Sequence, residues 1–403
     1  MILKDVLREI VRSQQEELAR VESGIVRDTL KHIDTQLPHA AILSGIRRCG
    51  KSTLLRQLMK KIGPGYYFNF EDPRAIGFEL SDFNKLNEVF REEIGDSTYY
   101  FFDEIQNVRQ WEAFVRTEQD KGKKFFITGS NASLLSKELG TKLTGRHITY
   151  ELFPFSYTEM LSFTHKKADA ATFEAYAHSG GFPEFLKYQR QEILQELFID
   201  ILMRDIVARY GLRESKTLKE LAIFLLTNIG KEISFTKLRD TFNLGSTNTV
   251  ISYLSHLEDS YVFFAIPRFS YSYRQQTVNP KKLYAIDVSF ASANSVIFSS
   301  DKGRVLENLV FLYLRKSFKD ISYFKGSREC DFLIKEKGKI TTAIQVCHEL
   351  HEENKEREIA GITEAMETFK LREGTIITMN QEDTFGNVQV IPAWKFMRSL
   401  NNS

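Results

Sequence analysis

The stretch from Gly45 to Thr53, GIRRCGKST, constrains the fold of this chain more than any other. It fits the pattern G-x-x-x-x-G-K-[ST] and lies between an apolar run, AAIL, and a helix-like run, STLLRQLMKKI. Glycines in such a loop let backbone N–H groups turn toward phosphate oxygens, and the start of the following helix adds partial positive charge. The stretch therefore predicts a strand, a phosphate-binding loop and a helix within an α/β nucleotide-binding domain.

The side chains of this loop have distinct predicted roles in binding. Lys51 is expected to reach the β and γ phosphates, and the hydroxyl of Ser52 is expected to bind Mg²⁺. The residues predicted to cradle the phosphates are Gly45, Ile46, Arg47, Arg48, Cys49, Gly50, Lys51, Ser52 and Thr53. The implied cofactors are a nucleoside triphosphate and Mg²⁺.

A second apolar run, YYFF, leads directly into Asp103 and Glu104. Two carboxylates at the end of a buried strand are costly unless they face a site. Asp103 suits a water-mediated contact with Mg²⁺, and Glu104 suits polarising a water molecule for hydrolysis. Together with the phosphate loop, this pattern predicts a nucleotide hydrolase.

Further polar residues are candidates for the same site. Ser130 and Asn131 follow the run KFFIT and are predicted to lie beside the γ-phosphate, although an ordinary turn has the same composition. Arg146, in LTGRH, and the loop residues Arg47 and Arg48 are candidates for neutralising charge in the transition state. The sequence leaves open whether Arg146 serves its own subunit or a neighbour's.

Hydrophobic patterns divide the chain into successive segments. Alternating apolar and helix-like runs in residues 36–165 predict a parallel sheet flanked by helices. The predicted parts are a helical segment over 1–35, the nucleotide-binding core over 36–165, a helical segment over 166–230, two helices with paired strands over 231–290, and a helix-and-strand domain over 300–403. No internal repeat is present.

The runs GIRRCGKST, YYFFDEIQNV, FFITGSNASLL, LTGRHITYELFPFSYTEML and GGFPEFL resemble a family of bacterial and archaeal AAA-type ATPases that carry a C-terminal domain of unknown function. The resemblance covers nearly the whole chain. It implies ATP as the nucleotide, a five-stranded core with one strand between the two motif-bearing strands, a winged helix and a restriction-nuclease-like region. It supplies no cellular function.

The segment after residue 231 has the outline of a winged helix. Ser234 and Ser246 can cap two helices joined by a turn at Gly245, and YVFFAIPRF with KKLYAID predicts a hairpin. The side chains expected to face a DNA groove are Thr247, Asn248, Ser252 and His256, with Lys237, Arg239, Arg268 and Arg274 near phosphates. Because the second helix carries no Lys or Arg from Ser246 to Leu257, a protein-interaction module remains the alternative.

The order helix, three strands, helix, strand after residue 300 resembles the PD-(D/E)xK nuclease fold. Glu307 and Asp331 match the first two acidic positions, but the third reads Gln345-Val346-Cys347 instead of an acid followed by a lysine. A degenerate remnant is predicted, with Lys355 or Arg357 as replacement bases if cleavage survives. A zinc site using Cys330, Cys347, His348 and His351 is a further alternative.

Composition narrows the remaining choices. The chain has 403 residues, enough for two or three domains, and a net charge of +2, so DNA contacts would need a local basic patch. Three cysteines without a CxxC pair and the lack of a long apolar window predict a cytoplasmic protein away from membranes. Whether it forms a homo-oligomer is left open.

The sequence therefore predicts an ATPase whose hydrolysis rearranges a winged-helix and nuclease-like unit, acting on DNA. The alternatives are a nucleotide-controlled switch that binds protein partners and an ATP-gated nuclease.

Overall fold

Two units, Met1–Phe153 and Pro154–Ser403, make up the fold in this computed structural model, which describes residues 1–130, 145–294 and 301–399. The boundary falls at Phe153, earlier than the predicted 165. The reason is that Phe155 already bonds within the second unit, where its N–H donates to Gly181 O at 2.7 Å. Among the described residues, no helix has both the length and the apolar character that a membrane crossing requires.

The first unit is a parallel five-stranded sheet flanked by helices. Its strands are β1 Ala40–Gly45, β2 Tyr66–Asn69, β3 Tyr99–Asp103, β4 Lys124–Gly129 and β5 His147–Leu152. Its helices are α1 Lys4–Arg20, α2 Lys51–Ile62, α3 Asp82–Glu93 and α4 Trp111–Asp120, with short 3₁₀ turns at Asp28–Lys31, Pro73–Ala75 and Ile105–Asn107. The strand order is β2-β3-β4-β1-β5. This confirms the predicted P-loop core, in which β4 lies between β1 and β3.

Aromatic side chains fill the core of this sheet. Phe83 stacks on Phe114 with ring centroids 4.2 Å apart, and Tyr100 stacks on Phe125 at 4.6 Å. One face of α1 packs into the same cluster, through the fully buried side chains of Leu7, Ile10 and Val11. Burial on both faces explains why the strands read as continuous apolar runs rather than as alternating patterns.

The helix near the start of the chain is shorter than the predicted segment 1–35. It ends at Arg20, and Val21 has an extended conformation. Gln57 holds the segment that follows, because its amide nitrogen donates to Ser23 O at 2.8 Å and to Ile25 O at 2.6 Å. Hydrogen bonds to a side chain from α2 thus replace those of a continued helix.

The second unit opens with helices and a small sheet. The helices are α5 Tyr157–Thr164, α6 Ala170–Ser179, α7 Pro183–Tyr188, α8 Gln191–Asp200, a π-helical stretch Ile201–Ala208 and α9 Ser215–Thr227. Then follow β6 Glu232–Ile233, α10 Phe235–Thr241, α11 Thr247–Asp259, β7 Phe263–Pro267, α12 Tyr273–Val278, β8 Lys281–Ala285 and α13 Val288–Asn294. The hairpin β7–β8 is antiparallel, as predicted, and the sheet order is β6-β8-β7.

The last part of the second unit is built on a six-stranded sheet. Its elements are α14 Lys302–Ser317, β9 Ile321–Lys325, β10 Glu329–Glu336, β11 Lys339–Val346, α15 Glu352–Phe369, β12 Gly374–Thr378, β13 Asp383–Phe385, β14 Val388–Pro392 and α16 Ala393–Ser399. The strand order is β13-β14-β12-β11-β10-β9. The strands β9 to β11 are antiparallel and β12 is parallel to β11, which confirms the predicted order of helix, three strands, helix, strand.

The distinctive runs ELFPFS and GGFPE meet around a buried carboxylate. Asp287 accepts from the Gly181 N–H at 2.7 Å and from the Ser289 N–H at 2.8 Å. A Cβ on Gly181 would lie 2.1 Å from Phe155 O, and one on Gly180 would lie 1.8 Å from an Asp287 oxygen. The glycines are therefore needed for close packing of three distant segments.

Replacing Gly181 with Ala should destabilise the second unit, because the new Cβ overlaps a backbone carbonyl that cannot rotate away. Overpacking of this kind costs roughly 1–3 kcal/mol of unfolding free energy. Gly245→Ala is the matched control, since a Cβ there meets nothing within 4 Å. Urea denaturation measures the difference, and equal stability of the two variants would contradict the packing explanation.

Candidate functional site

The phosphate loop joins the end of β1 to the start of α2. A Cβ on Gly45 would lie 2.2 Å from Leu152 O on the neighbouring strand β5, so close strand packing requires glycine there. Gly50 has a φ of +100°, a left-handed conformation that favours glycine. The loop thus turns sharply into the helix N-terminus, where free N–H groups favour an anion.

Lys51 is the buried cation of this loop. Its ammonium donates to Gly45 O and Ile46 O at 3.2 Å each and lies 3.5 Å from a Glu104 carboxylate oxygen. Burial lowers the pKa of Lys51, but the negative groups around it, Glu104 foremost and Asp103 among them, together outweigh burial and the pKa is raised. The side chain is therefore held as a cation inside the loop.

Ser52 and Asp103 come together, as the two motifs predict. The Ser52 hydroxyl is hydrogen-bonded to the Asp103 carboxylate, which also accepts from the Thr128 hydroxyl and, at 3.3 Å, from Tyr67 OH. Burial, followed by the charge of Glu104, raises the pKa of Asp103. Hydroxyl and carboxylate oxygens are the ligands that Mg²⁺ prefers, so this pair fits the ion.

Glu104 lies at the end of β3 in a left-handed conformation with φ +54°. Its N–H donates to Thr128 Oγ1 at 2.9 Å, and its carboxylate accepts from Gln106 Nε2. Burial alone raises the pKa of Glu104, but the Lys51 charge and the Gln106 hydrogen bond outweigh burial and lower it. The carboxylate is thus held ionised, the form that polarises a water molecule.

Ser130 joins this group through Gln106, whose Nε2 lies 3.4 Å from Ser130 Oγ. Gln106 and Thr128 were not predicted from the sequence. Thr128 is the last polar residue of KFFIT, and its contact with both acidic residues follows from the pairing of β3 with β4. The position of Thr128 directly before the turn at Gly129 and Ser130 is the one feature of the sequence that could have indicated its role. The other predicted residue of this turn, Asn131, lies outside the described residues.

Arg27 also contributes to the site and was not predicted from the sequence. Its side chain is only 2% exposed, and its guanidinium donates to Cys49 O and to Phe153 O at 2.7 Å each. Its own N–H donates to Gln57 Oε1 at 3.1 Å. Arg27 therefore braces the phosphate loop from outside the motif, and an isolated arginine before the first strand gives no local signal for such a role.

The arginines predicted to neutralise charge at the site do not all lie at the phosphate loop. Arg47 lies 3.1 Å from a Glu71 oxygen, and Arg48 has a φ of +62° within the loop. Arg146 pairs with Asp120, and its carbonyl accepts from the Ala40 N–H at the start of β1. Five residue steps of parallel strand, about 17 Å, separate that end of β1 from the loop.

The structure thus does not bring Arg146 to the phosphate loop of its own chain. The physical reason is that β5 runs parallel to β1, so its first residue lies at the opposite edge of the sheet. A role in a neighbouring subunit stays a prediction.

The acidic residues of residues 300–403, the part predicted to be nuclease-like and called here the nuclease-like part, meet around a lysine. Glu307 and Asp331 both contact the Lys282 ammonium, at 3.1 and 2.9 Å. The Gln345 amide oxygen accepts from the Asp331 N–H, and its amide nitrogen donates to Glu358. Of the expected replacement bases, Lys355 covers the Phe385 ring, and Arg357 pairs with Glu358, which accepts from Gln345.

The zinc alternative is wrong for the described residues, which contain no group of three or more His, Cys, Asp or Glu side chains able to hold a metal. The thiols face backbone carbonyls instead: Cys330 Sγ lies 3.4 Å from Ile344 O, and Cys347 Sγ lies 3.1 Å from Glu349 O.

The predicted DNA-facing helix α11 offers a smaller polar surface than expected. Asn248 and Ser252 are exposed, but His256 stacks on Tyr210 with ring centroids 3.7 Å apart. The loop between β7 and β8 is more open: Tyr271 is 88% exposed and Tyr273 is 84% exposed, with Arg274 exposed beside them.

Comparison with known families places an AAA domain over residues 38–161 and a domain described only as a "Domain of unknown function (DUF8612)" over residues 170–301. Among solved structures, AMPPCP-bound DnaA from Aquifex aeolicus is 14% identical, with a TM-score of 0.27 over 64% of this chain and 89% of that one. The Aeropyrum pernix ORC1 protein in complex with DNA is 14% identical, with a TM-score of 0.30 over 72% and 92%. Similarity this low identifies no function.

Two curated proteins are similar in sequence along much of their length. An uncharacterized protein of Haemophilus influenzae is 28% identical over 78% of this chain and 84% of its own. The uncharacterized protein MJ1544 of Methanocaldococcus jannaschii is 36% identical over 98% of this chain and 96% of its own. Because this match covers nearly the whole of both chains, the chain belongs to the same protein family as MJ1544 of Methanocaldococcus jannaschii, and it carries an AAA domain over residues 38–161.

Proposed function

We propose that this protein binds ATP with Mg²⁺ and hydrolyses it at the phosphate loop. The observation that carries the proposal is the meeting of Lys51, the Ser52–Asp103 pair and ionised Glu104 at the carboxyl edge of one parallel sheet. A cation for the phosphates, oxygen ligands for Mg²⁺ and a carboxylate for water are the groups that phosphoryl transfer to water requires.

The residues would divide the work as follows. Backbone N–H groups of the loop and Lys51 bind the β and γ phosphates, while Ser52 and Asp103 hold Mg²⁺, which when bound neutralises developing charge. Glu104 orients and polarises the attacking water. Gln106, which bonds to Glu104 and lies near Ser130, holds the carboxylate in place. Without nucleotide, Lys51 rests on loop carbonyls and the Glu104 charge, contacts that a phosphate can replace.

We further propose that the second unit contacts nucleic acid through the loop between β7 and β8 rather than through α11. Between β7 and β8, over residues 268–280, the chain has no acidic residue and two basic ones, Arg268 and Arg274, whereas α11 has no Lys or Arg. Exposed Tyr271 and Tyr273 offer ring faces on which unpaired bases can stack, and Arg274 offers a charge for phosphate. ATP turnover would then rearrange the second unit on a nucleic acid with unpaired bases.

Two variants test the hydrolytic site. Lys51→Ala should abolish ATP binding, because it removes the cation from the loop. Glu104→Gln should keep binding but lower turnover by about 10²–10⁴-fold, the usual contribution of a positioned acid or base. Steady-state phosphate release measures both variants. Lys61→Ala, exposed on the same helix, is the control, and undiminished hydrolysis in either site variant would overturn the assignment.

Arg27→Met tests the brace on the phosphate loop. The variant loses two hydrogen bonds to backbone carbonyls, so KM for ATP should rise about tenfold or more, equivalent to roughly 1.4 kcal/mol. Arg27→Lys should be intermediate, because an ammonium is a point charge without the planar fork of the guanidinium. Arg20→Met is the control, since Arg20 is exposed at the end of α1. An unchanged KM in Arg27→Met would contradict the brace.

The loop between β7 and β8 can be tested by DNA binding. Replacing Tyr271 and Tyr273 together by Ala should weaken binding of a fluorescent single-stranded oligonucleotide at least tenfold, since each stacked base contributes about 1–3 kcal/mol. Arg274→Ala should reduce the salt dependence of binding by about one phosphate contact. Tyr188→Ala, at another exposed tyrosine, is the control. No binding even at low salt would reject the nucleic-acid proposal and favour the nucleotide-controlled switch.

A further inference from the structure

Three carboxylates of the nuclease-like part surround one ammonium group. The Lys282 Nζ lies 2.7 Å from Glu329, 2.9 Å from Asp331 and 3.1 Å from Glu307. Lys282 is only 3% exposed. Burial lowers the pKa of Lys282, but the charges of Asp331 and Glu307 outweigh burial and raise it. The lysine is therefore a buried cation, compensated by the acidic residues around it.

Lys282 comes from outside the nuclease-like part. It lies on β8, the second strand of the hairpin that precedes α14, whereas Glu307 is on α14 and Asp331 is on β10. Tyr284, two residues along β8, donates its hydroxyl to Glu307 at 2.7 Å. Because residues i and i+2 of a strand share a face, β8 presents both groups to the acidic residues together.

The remaining predicted ligands are already used. Asp331 accepts from Lys282 through Oδ1 and from the Val346 N–H through Oδ2, at 2.9 Å each. Gln345 accepts from the Asp331 N–H at 3.2 Å and donates to Glu358 at 2.7 Å. These residues therefore do not fit a divalent cation, which needs several oxygen atoms free to converge on it.

The same hairpin makes further contacts with the edge of the six-stranded sheet. The Phe269 N–H donates to Tyr323 O on β9 at 2.7 Å, and Arg268 donates to Lys325 O. Tyr323 OH lies 2.8 Å from Pro280 O and 2.9 Å from Glu232. Lys282 thus belongs to an extended attachment of the hairpin to the nuclease-like part.

We propose that the Lys282 ammonium takes the place of the divalent cation in the nuclease-like part. The acidic residues retained there bind the hairpin through this lysine, and the part is a metal-free docking platform instead of a metal-dependent nuclease. Removing the lysine charge would leave Glu307, Glu329 and Asp331 without their shared cation, so that a divalent cation can take its place. This inference does not depend on ATP hydrolysis, so the two can fail separately.

Mn²⁺ binding to the nucleotide-free full chain tests the proposal, with free Mn²⁺ measured by electron paramagnetic resonance. Wild type should bind no more Mn²⁺ than Asp331→Asn. Lys282→Met should gain one Mn²⁺ site, and Mn²⁺ should raise its melting temperature by several degrees. Adding Asp331→Asn to Lys282→Met should remove that gain. Lys281→Met, the adjacent half-buried lysine, should behave as wild type.

Two results would overturn the proposal: a wild-type Mn²⁺ site that is lost in Asp331→Asn, or folded Lys282→Met that gains no site. If Lys282→Met does not fold, the wild type and Asp331→Asn still decide the question, since equal Mn²⁺ binding supports the proposal and unequal binding overturns it. Lys282→Arg provides a further check, because a guanidinium keeps the charge and should leave the protein without a Mn²⁺ site.

Discussion

The parallel pairing of β3, β4 and β1 is the constraint on which the candidate site depends. Parallel strands end at the same edge of a sheet, so the polar residues that follow each apolar run arrive at one place. Asp103 ends β3 and Glu104 follows it directly, Thr128 lies near the end of β4, and Gly45 ends β1. Thr128 accepts from the Glu104 N–H and donates to the Asp103 carboxylate. Because Thr128 lies on β4, between β3 and β1, these bonds link the two acidic residues to the strand beside the phosphate loop.

Two buried lysines illustrate how surroundings decide the use of the same group. Lys51 contacts two carbonyl oxygens and one carboxylate in a loop with the backbone geometry of an anion site. Lys282 is surrounded by three carboxylates, so its charge is already compensated within the protein. An incoming phosphate can compete for the first ammonium, whereas the second serves as an internal counter-ion. Breaking such a buried cluster is costly, since it leaves charges without partners.

Local sequence patterns predicted most residues of the phosphate site but few of the residues that hold the phosphate loop in place. Lys51, Ser52, Asp103 and Glu104 were found because their motifs are short and their flanking strands are apolar. Arg27 lies 22 residues from Cys49 and 126 residues from Phe153, the two groups that it bonds. For Arg146 the motif predicted only the residue type, and the direction of β5 places it at the far edge of the sheet from the loop of its own chain. Such contacts follow from how strands pair, which no local pattern contains.

By itself, the sequence determined the phosphate loop, the acidic strand end, the order of helices and strands, and the presence of Gln345 and Cys347 where the nuclease pattern has an acid and a lysine. These are properties of contiguous residues and their periodicity. Only the tertiary structure decided what compensates the acidic residues that remain. Lys282 lies 25 residues from Glu307 and 49 from Asp331, and it joins them because the hairpin packs against α14 and β10. Charge compensation in a protein interior depends on distance in space, and folding sets that distance.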